Sequence, residues 1–221
     1  MAESPLLLVI NPGSTSTRVA LYRGEETVGE RYLPCAQAEL AGFKRVAEQV
    51  PLRTGHVAGL LAEHQVKPGD LDGIAARGGP LRPVPGGVYR INAAMLADAR
   101  SEEFVEHISK TACLIADKLA RQGGGVPAFI TDPVSTDEFA PISRISGLKQ
   151  LSRKSLVHAL NLKSVARRYA RELGRNYSEL NLITVQLGGG SSIAVHVGGR
   201  MVDSVDANGE GPFSPERAGG L

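Results

Sequence analysis

Two short turns built from Gly, Ser and Thr, one near each end of the chain, constrain this sequence more than any other feature. The apolar run Leu6 to Ile10 breaks at Asn11-Pro12-Gly13-Ser14-Thr15-Ser16-Thr17 and resumes as Val19-Ala20-Leu21-Tyr22. The same thing happens later, where Leu182-Ile183-Thr184-Val185-Gln186-Leu187 gives way to Gly188-Gly189-Gly190-Ser191-Ser192 and then Ile193-Ala194-Val195-His196-Val197. A turn without side-chain bulk lets backbone N–H groups and hydroxyls close around a phosphate. Gly13, Ser14, Thr15 and Ser16 in the first turn, and Gly188, Gly189, Gly190 and Ser191 in the second, are therefore candidate phosphate or nucleotide contacts. Either turn alone also reads as a plain hairpin. Their repetition, one in each half, points to a polyphosphate held between two related domains.

Charge and cysteine usage narrow the partners. A net charge of +2 gives no electrostatic case for nucleic acid or an acidic membrane surface. The apolar run at the start is five residues long and has no basic flank, so it reads as a strand and not as a signal peptide or membrane span. Cys35 and Cys113 lie far apart with no metal-ligand spacing around them, which fits reduced thiols and a cytoplasmic protein.

Hydrophobic patterning predicts strands at about 6–10, 17–22 and 27–33, and helical material at about 38–65 interrupted at Pro51. A short strand, Ile74-Ala75-Ala76, ends at Arg77-Gly78-Gly79, and a Pro/Gly-rich loop spans 80–87. A helix at about 92–121 places Ile108, Ala112, Ile115 and Leu119 on one face, and a strand at 127–130 closes at Thr131-Asp132-Pro133. A long helix is expected at 152–173, with Leu156, Leu160, Tyr169 and Leu173 on one side and Arg167, Arg168 and Arg171 mostly elsewhere. Strands at 181–187, 191–197 and 200–205 then repeat the opening meander. The fold class is α/β, with duplicated ribonuclease H-like (actin-like ATPase) domains and a cleft between them. The first domain, βββαβαβ, is assigned to 1–150; residues 151–221 hold the linking helix and opening strands of a second, incomplete domain.

Arg77 and Asp132 each sit at the carboxyl end of a predicted strand, the edge where open α/β sheets bind ligands. Taken singly, they also read as a solvated turn arginine and a turn carboxylate. His158 by itself reads as a helix histidine. Arg217 lies in Gly211-Pro212-Phe213-Ser214-Pro215-Glu216-Arg217-Ala218-Gly219-Gly220, a loop too rich in Pro and Gly for a casual linker. There is no GxxxxGK[ST] and no GxGxxG opening a helix, which argues against a P-loop or dinucleotide fold. Arginines, a histidine and a carboxylate suit phosphoryl transfer, because its transition state spreads negative charge over the equatorial oxygens.

The strings INPGSTSTRVAL, RGGPLRPVPGGVYRINAAML, PAFITDPVSTDEFAPISRISG, HALNLKSVARRYA, LGGGSSIAVHVGGRMVD and GEGPFSPERAGGL, in this order, resemble the butyrate kinases of the acetokinase family. Acetate kinase itself is a more distant match. The resemblance implies reversible ATP-dependent phosphorylation of butyrate or a related short carboxylate, with ATP and Mg2+ as cofactors. It implies that Asn11 contacts the phosphate and metal region, and that Arg77 and Arg217 clamp the carboxylate and the phosphoryl group in flight. Asp132 would position the metal or the reacting carboxylate, His158 would hydrogen-bond the equatorial oxygens, and Gly188, Gly189 and Gly190 would take the β-phosphate side. A homo-oligomer without nucleic acid or membrane is expected. Two departures stand out: the segment Glu106-His107-Ile108-Ser109-Lys110 differs from the family form, and family members continue into the rest of a second domain. The alternatives are a truncated remnant that only binds a ligand or partner, and a kinase for acetate or propionate.

Overall fold

The structure is a computed structural model that describes residues 3–206 and 209–219. It divides into two compact units: residues up to Arg82 together with Val88–Thr131, and Pro83–Gly87 together with the residues from Asp132 onward.

In the first unit, β1 (Leu6–Gly13), β2 (Ser16–Arg23) and β3 (Glu26–Pro34) form the expected meander. With β4 (Gly73–Arg77), β5 (Val88–Arg90) and β6 (Ala128–Thr131) they build a sheet in the order β3-β2-β1-β4-β6-β5. β1, β4 and β6 are parallel and the other pairings antiparallel. β1 is nearly all apolar because it lies centrally: Leu6, Leu8 and Ile10 are buried while Leu7 and Val9 on the opposite face are half-buried. The helices α1 (Gln37–Leu40), α2 (Val50–Glu63), α3 (Ala93–Arg100) and α4 (Thr111–Gln122) complete this unit. Ile115 and Leu119 of α4 join Val57, Leu60 and Leu61 of α2 and the sheet residues Leu8, Ile10, Ile74 and Ile130 in one core. Each such fully buried side chain contributes roughly 1.5–3 kcal/mol.

The second unit contains α5 (Ala159–Glu172) and a meander, β7 (Leu182–Gln186), β8 (Ser192–Val197) and β9 (Arg200–Asp206), in the order β7-β8-β9. The repetition of the opening meander is thus present in the backbone. Val157, Ala159, Leu162, Ala194 and Met201 form a small core.

Several local expectations change. Pro51 does not interrupt a helix but sits at the start of α2, where its missing N–H costs nothing. The helix expected at 92–121 is two helices separated by residues 101–110, the last three of which form a single 3-10 turn, and Val88–Arg90, for which patterning predicted no element, is a strand paired with β6. The helix expected from 152 begins only at Ala159. The Arg153 guanidinium bonds Ser143 O (2.6 Å), Asp203 Oδ1 (3.0 Å), Ser204 O (2.9 Å) and Glu210, and these long-range contacts hold the preceding segment non-helical. The buried face of α5 is Ala159, Leu162, Lys163, Ala166 and Ala170, whereas Leu160, Tyr169 and Leu173 are exposed. Small alanines let the helix approach closely, and Lys163 is buried because it has a carboxylate partner. The boundary falls after Thr131 rather than near 150, since Ala140 N–H bonds Val202 O (2.8 Å) and Met201 N–H bonds Glu138 Oε2 (2.8 Å), tying this segment to β9.

Candidate functional site

The first turn is a tight hairpin in which Gly13 pairs Ser16 and Ser14-Thr15 form the loop. Its carbonyls face inward. Arg53, fully buried on α2, donates to Ser16 O (2.8 Å), Ser14 O (3.2 Å) and Thr17 Oγ1 (2.9 Å), and Cys35 N–H donates to Thr15 O (2.9 Å). Burial pulls the Arg53 pKa below its ordinary value, only partly offset by the nearby Cys35 thiol. Carbonyls tied down on one side leave Ser14 and Thr15 exposed on the other, whereas Ser16 is buried. Sequence reasoning missed Arg53; an arginine in mid-helix carries no signal that it reaches back to a hairpin.

Arg77 ends β4, next to β1, and its Nη1 donates to Asn11 Oδ1 at a long 3.5 Å. Burial lowers its pKa from the usual arginine value. Among the described residues no carboxylate pairs with it, so a half-buried guanidinium faces the carboxyl edge of the sheet without a counter-ion. A cation beside Asn11 Oδ1 argues against Asn11 holding a dication there; it leaves Asn11 as a neighbour that orients Arg77. His107 caps a single helical turn, its Nδ1 accepting from Ser109 N–H (3.2 Å).

In the second unit, His158 is the residue immediately before α5 and not one turn inside it. Its N–H reaches Ser192 Oγ (3.4 Å) and its Nδ1 lies 2.9 Å from the same oxygen. A hydroxyl has one proton to give and two lone pairs, so Ser192 can serve the backbone N–H and Nδ1 together and hold the ring in place. The ring lies beside Gly190: a Cβ there would stand 3.7 Å from His158 Cε1. The turn and the histidine are therefore one cluster, with Ser192 as its link, while Ser191, the residue expected to face a phosphate, is buried. Among the described residues, nothing accepts a hydrogen bond from the N–H groups of Gly188, Gly189 or Gly190.

The loop carrying Arg217 docks on this turn. Ser214 Oγ (2.7 Å) and Glu216 N–H (2.9 Å) both donate to Gly189 O, and Ser214 and Arg217 exchange backbone hydrogen bonds of 2.9 and 3.2 Å. A Cβ on Gly189 would meet the Glu216 carboxylate at 2.7 Å, so the loop packs closely on the bare backbone of this glycine. Arg217 Nη1 donates to Glu216 O (2.8 Å). The Arg217 loop is thus fastened to the glycine turn through Gly189 O; Gly220 and Leu221 lie outside the described residues.

Asp132 is not a free carboxylate. It directly follows β6 with φ of +38°, is buried, and spends Oδ1 on Gly87 N–H (2.9 Å) and Oδ2 on Arg167 Nη1 (2.6 Å). Neither oxygen is offered to a metal or substrate in this arrangement. Among the described residues there is no cluster of three or more His, Cys, Asp or Glu that could hold a metal ion. Both cysteines are free and buried, and burial pushes the Cys113 thiol up to about 12. Among the described residues no helix is long and apolar enough to cross a membrane.

A scan against known family models finds no match. The fold does match solved structures: acetate kinase of Porphyromonas gingivalis (TM-score 0.68, 15% identity, 94% of this chain and 59% of that one) and a propionate kinase of Francisella tularensis (TM-score 0.57, 16% identity, 93% and 59%). The fold is therefore the one seen in these two kinases, the actin-like ATPase fold. Within it, the chain is 46% identical over 216 residues to a probable butyrate kinase of Enterococcus faecalis, covering 97% of this chain and 59% of that relative. It is 42% identical over 216 residues to butyrate kinase 1 of Clostridium acetobutylicum (97% and 61%) and 47% identical over 214 residues to a probable butyrate kinase of Phocaeicola vulgatus (96% and 60%). The chain is thus similar to the butyrate kinases over nearly its whole length and corresponds to their amino-terminal portion, spanning about 60% of their length.

Proposed function

We propose that this chain carries the acyl phosphate side of a butyrate kinase, a protein that transfers the terminal phosphoryl group of ATP to butyrate or a related short carboxylate. The observation that carries this reading is Arg77, half-buried at the carboxyl edge of the sheet with no carboxylate partner among the described residues and with a small-residue hairpin on the adjoining strand. A guanidinium in that state is poised to fork onto a carboxylate or phosphoryl group. The names of the relatives supply the substrate class.

In the forward direction a butyrate oxygen attacks the γ-phosphorus of ATP. A new P–O bond forms, the bond to the β,γ-bridging oxygen breaks, and ADP leaves with that electron pair. Arg77 and Arg217 would supply positive charge for the carboxylate and the equatorial oxygens, and a ring N–H of His158 would donate a hydrogen bond to one of them. The N–H groups of Gly188, Gly189 and Gly190 would face nucleotide phosphate. Magnesium fits as an ion that arrives with the phosphates of ATP, which it ordinarily keeps as ligands; among the described residues no group of three or more His, Cys, Asp or Glu would cage it. A cytoplasmic setting accompanies this reading, supported by the two free thiols.

Calorimetric titration of the purified chain with butyryl phosphate tests the proposal. Saturable binding is expected, weakened at least tenfold in both Arg77→Gln and His158→Gln. Unaltered affinity in the two variants would sink it.

A further inference from the structure

We propose that Arg167 is a positioning residue of this site: paired with Lys163 one turn earlier on α5, it holds the two buried carboxylates that fix the Gly86–Gly87 strap and the backbone at Asp132. Its bearing on acyl phosphate rests on the reading above.

The observation is a doubled arrangement. Lys163 Nζ bonds Glu138 Oε2 at 2.6 Å, and Glu138 Oε1 accepts Gly86 N–H at 3.0 Å. Arg167 Nη1 bonds Asp132 Oδ2 at 2.6 Å, and Asp132 Oδ1 accepts Gly87 N–H at 2.9 Å. Residues four apart share one face of a helix, so two successive turns of α5 each present a cation to a carboxylate, and the two carboxylates grip two successive residues of the strap. Asp132 N–H also donates back to Gly87 O at 2.9 Å, closing a ring between them. A Cβ on Gly86 would fall 2.2 Å from Lys163 Nζ and 2.8 Å from Glu138 Oε1, so a side chain there would push this ion pair aside.

Asp132 carries φ of +38°, a left-handed backbone that is unfavourable for a side chain other than glycine or asparagine. Such a residue persists only where its surroundings over-determine it. Here three hydrogen bonds do so, and two of them depend on a carboxylate whose charge Arg167 balances. Arg167 is only partly covered, with its guanidinium 5.9 Å from the centre of the Tyr177 ring, so it can be replaced without opening the core. Sequence placed Asp132 at the reacting groups; the structure assigns its carboxylate to holding the backbone there.

Amide hydrogen exchange by NMR on the 221-residue chain decides the matter. In Arg167→Gln, the Gly87 N–H is expected to exchange at least tenfold faster than in the parent, with amides of α4 unchanged. Arg167→Lys should restore most of the protection, and Arg168→Gln, whose partner is the exposed Glu172, should leave Gly87 unaltered. Unchanged Gly87 exchange in Arg167→Gln, or equal acceleration in Arg168→Gln, overturns the proposal. Butyryl phosphate titration of the same samples separates the two readings. Failure of the parent to bind would remove the substrate reading, while the Gly87 rates would still decide whether Arg167 positions Asp132.

Discussion

Lowering the pH should destabilise the second unit through a single histidine. His196 on β8 is wholly buried, with Nδ1 against Tyr177 Oη (2.5 Å) and Nε2 against Thr184 Oγ1 (2.7 Å). Burial, reinforced by the positive charge of Lys163 and Arg167 and only partly opposed by Glu138, pulls its pKa from 6.5 to about 4. The unfolded chain therefore takes up a proton near pH 6.5 that the folded chain refuses until near pH 4. The resulting stability is fully present above the unfolded pKa and is lost as pH falls through the window between the two values. At about 1.4 kcal/mol per pKa unit the whole effect is roughly 3 kcal/mol, of which about 2 kcal/mol is gone by pH 5. Urea unfolding of the parent and of His196→Gln at pH 7.5 and pH 5 isolates this contribution, because carboxylate titrations are common to both chains. The parent should lose about 2 kcal/mol more than the variant over that interval. Equal losses would refute the argument, as would a His196 ring proton resonance that titrates near 6.5.

Replacing Lys163 by Met leaves Glu138 buried without its cation; the expected loss is about 3–5 kcal/mol, read by chemical denaturation. Arg53→Met strips donors from the carbonyls of Ser14 and Ser16 and should cost about 1–3 kcal/mol for each carbonyl left unsatisfied, with faster amide exchange at Cys35, whose N–H holds Thr15. Gly79→Ala puts a Cβ 2.6 Å from Lys110 N, a backbone atom that cannot swing aside. About 1–3 kcal/mol of overpacking follows, and the displaced turn behind Arg77 should weaken butyryl phosphate binding in calorimetry.

Patterning in the sequence determined both meanders, because strand alternation and a small-residue turn are local properties. Leu6–Ile10 and Leu182–Gln186 could form little else once each was followed by such a turn. The buried stripe Ile108, Ala112, Ile115 and Leu119 was legible for the same reason, since helical period and burial coincide there. The strand ends at Arg77 and Asp132 were likewise placed correctly, being set by where apolar runs stop.

What a side chain does once it leaves its own segment was not legible. On α5 the larger apolar residues Leu160, Tyr169 and Leu173 misled, and three alanines with Leu162 and Lys163 made the contact face, the lysine because a buried charge is tolerated where a distant carboxylate meets it. Residues 152–157 stayed out of the helix because Arg153 is held by groups 10 to 57 positions away in sequence. Asp132 stands at the expected strand end, yet Gly87 and Arg167, 45 and 35 positions distant, take up both its oxygens. Local pattern fixes where a backbone turns or pairs. Which charge meets which carboxylate depends on long-range closure, and only the tertiary structure decides that.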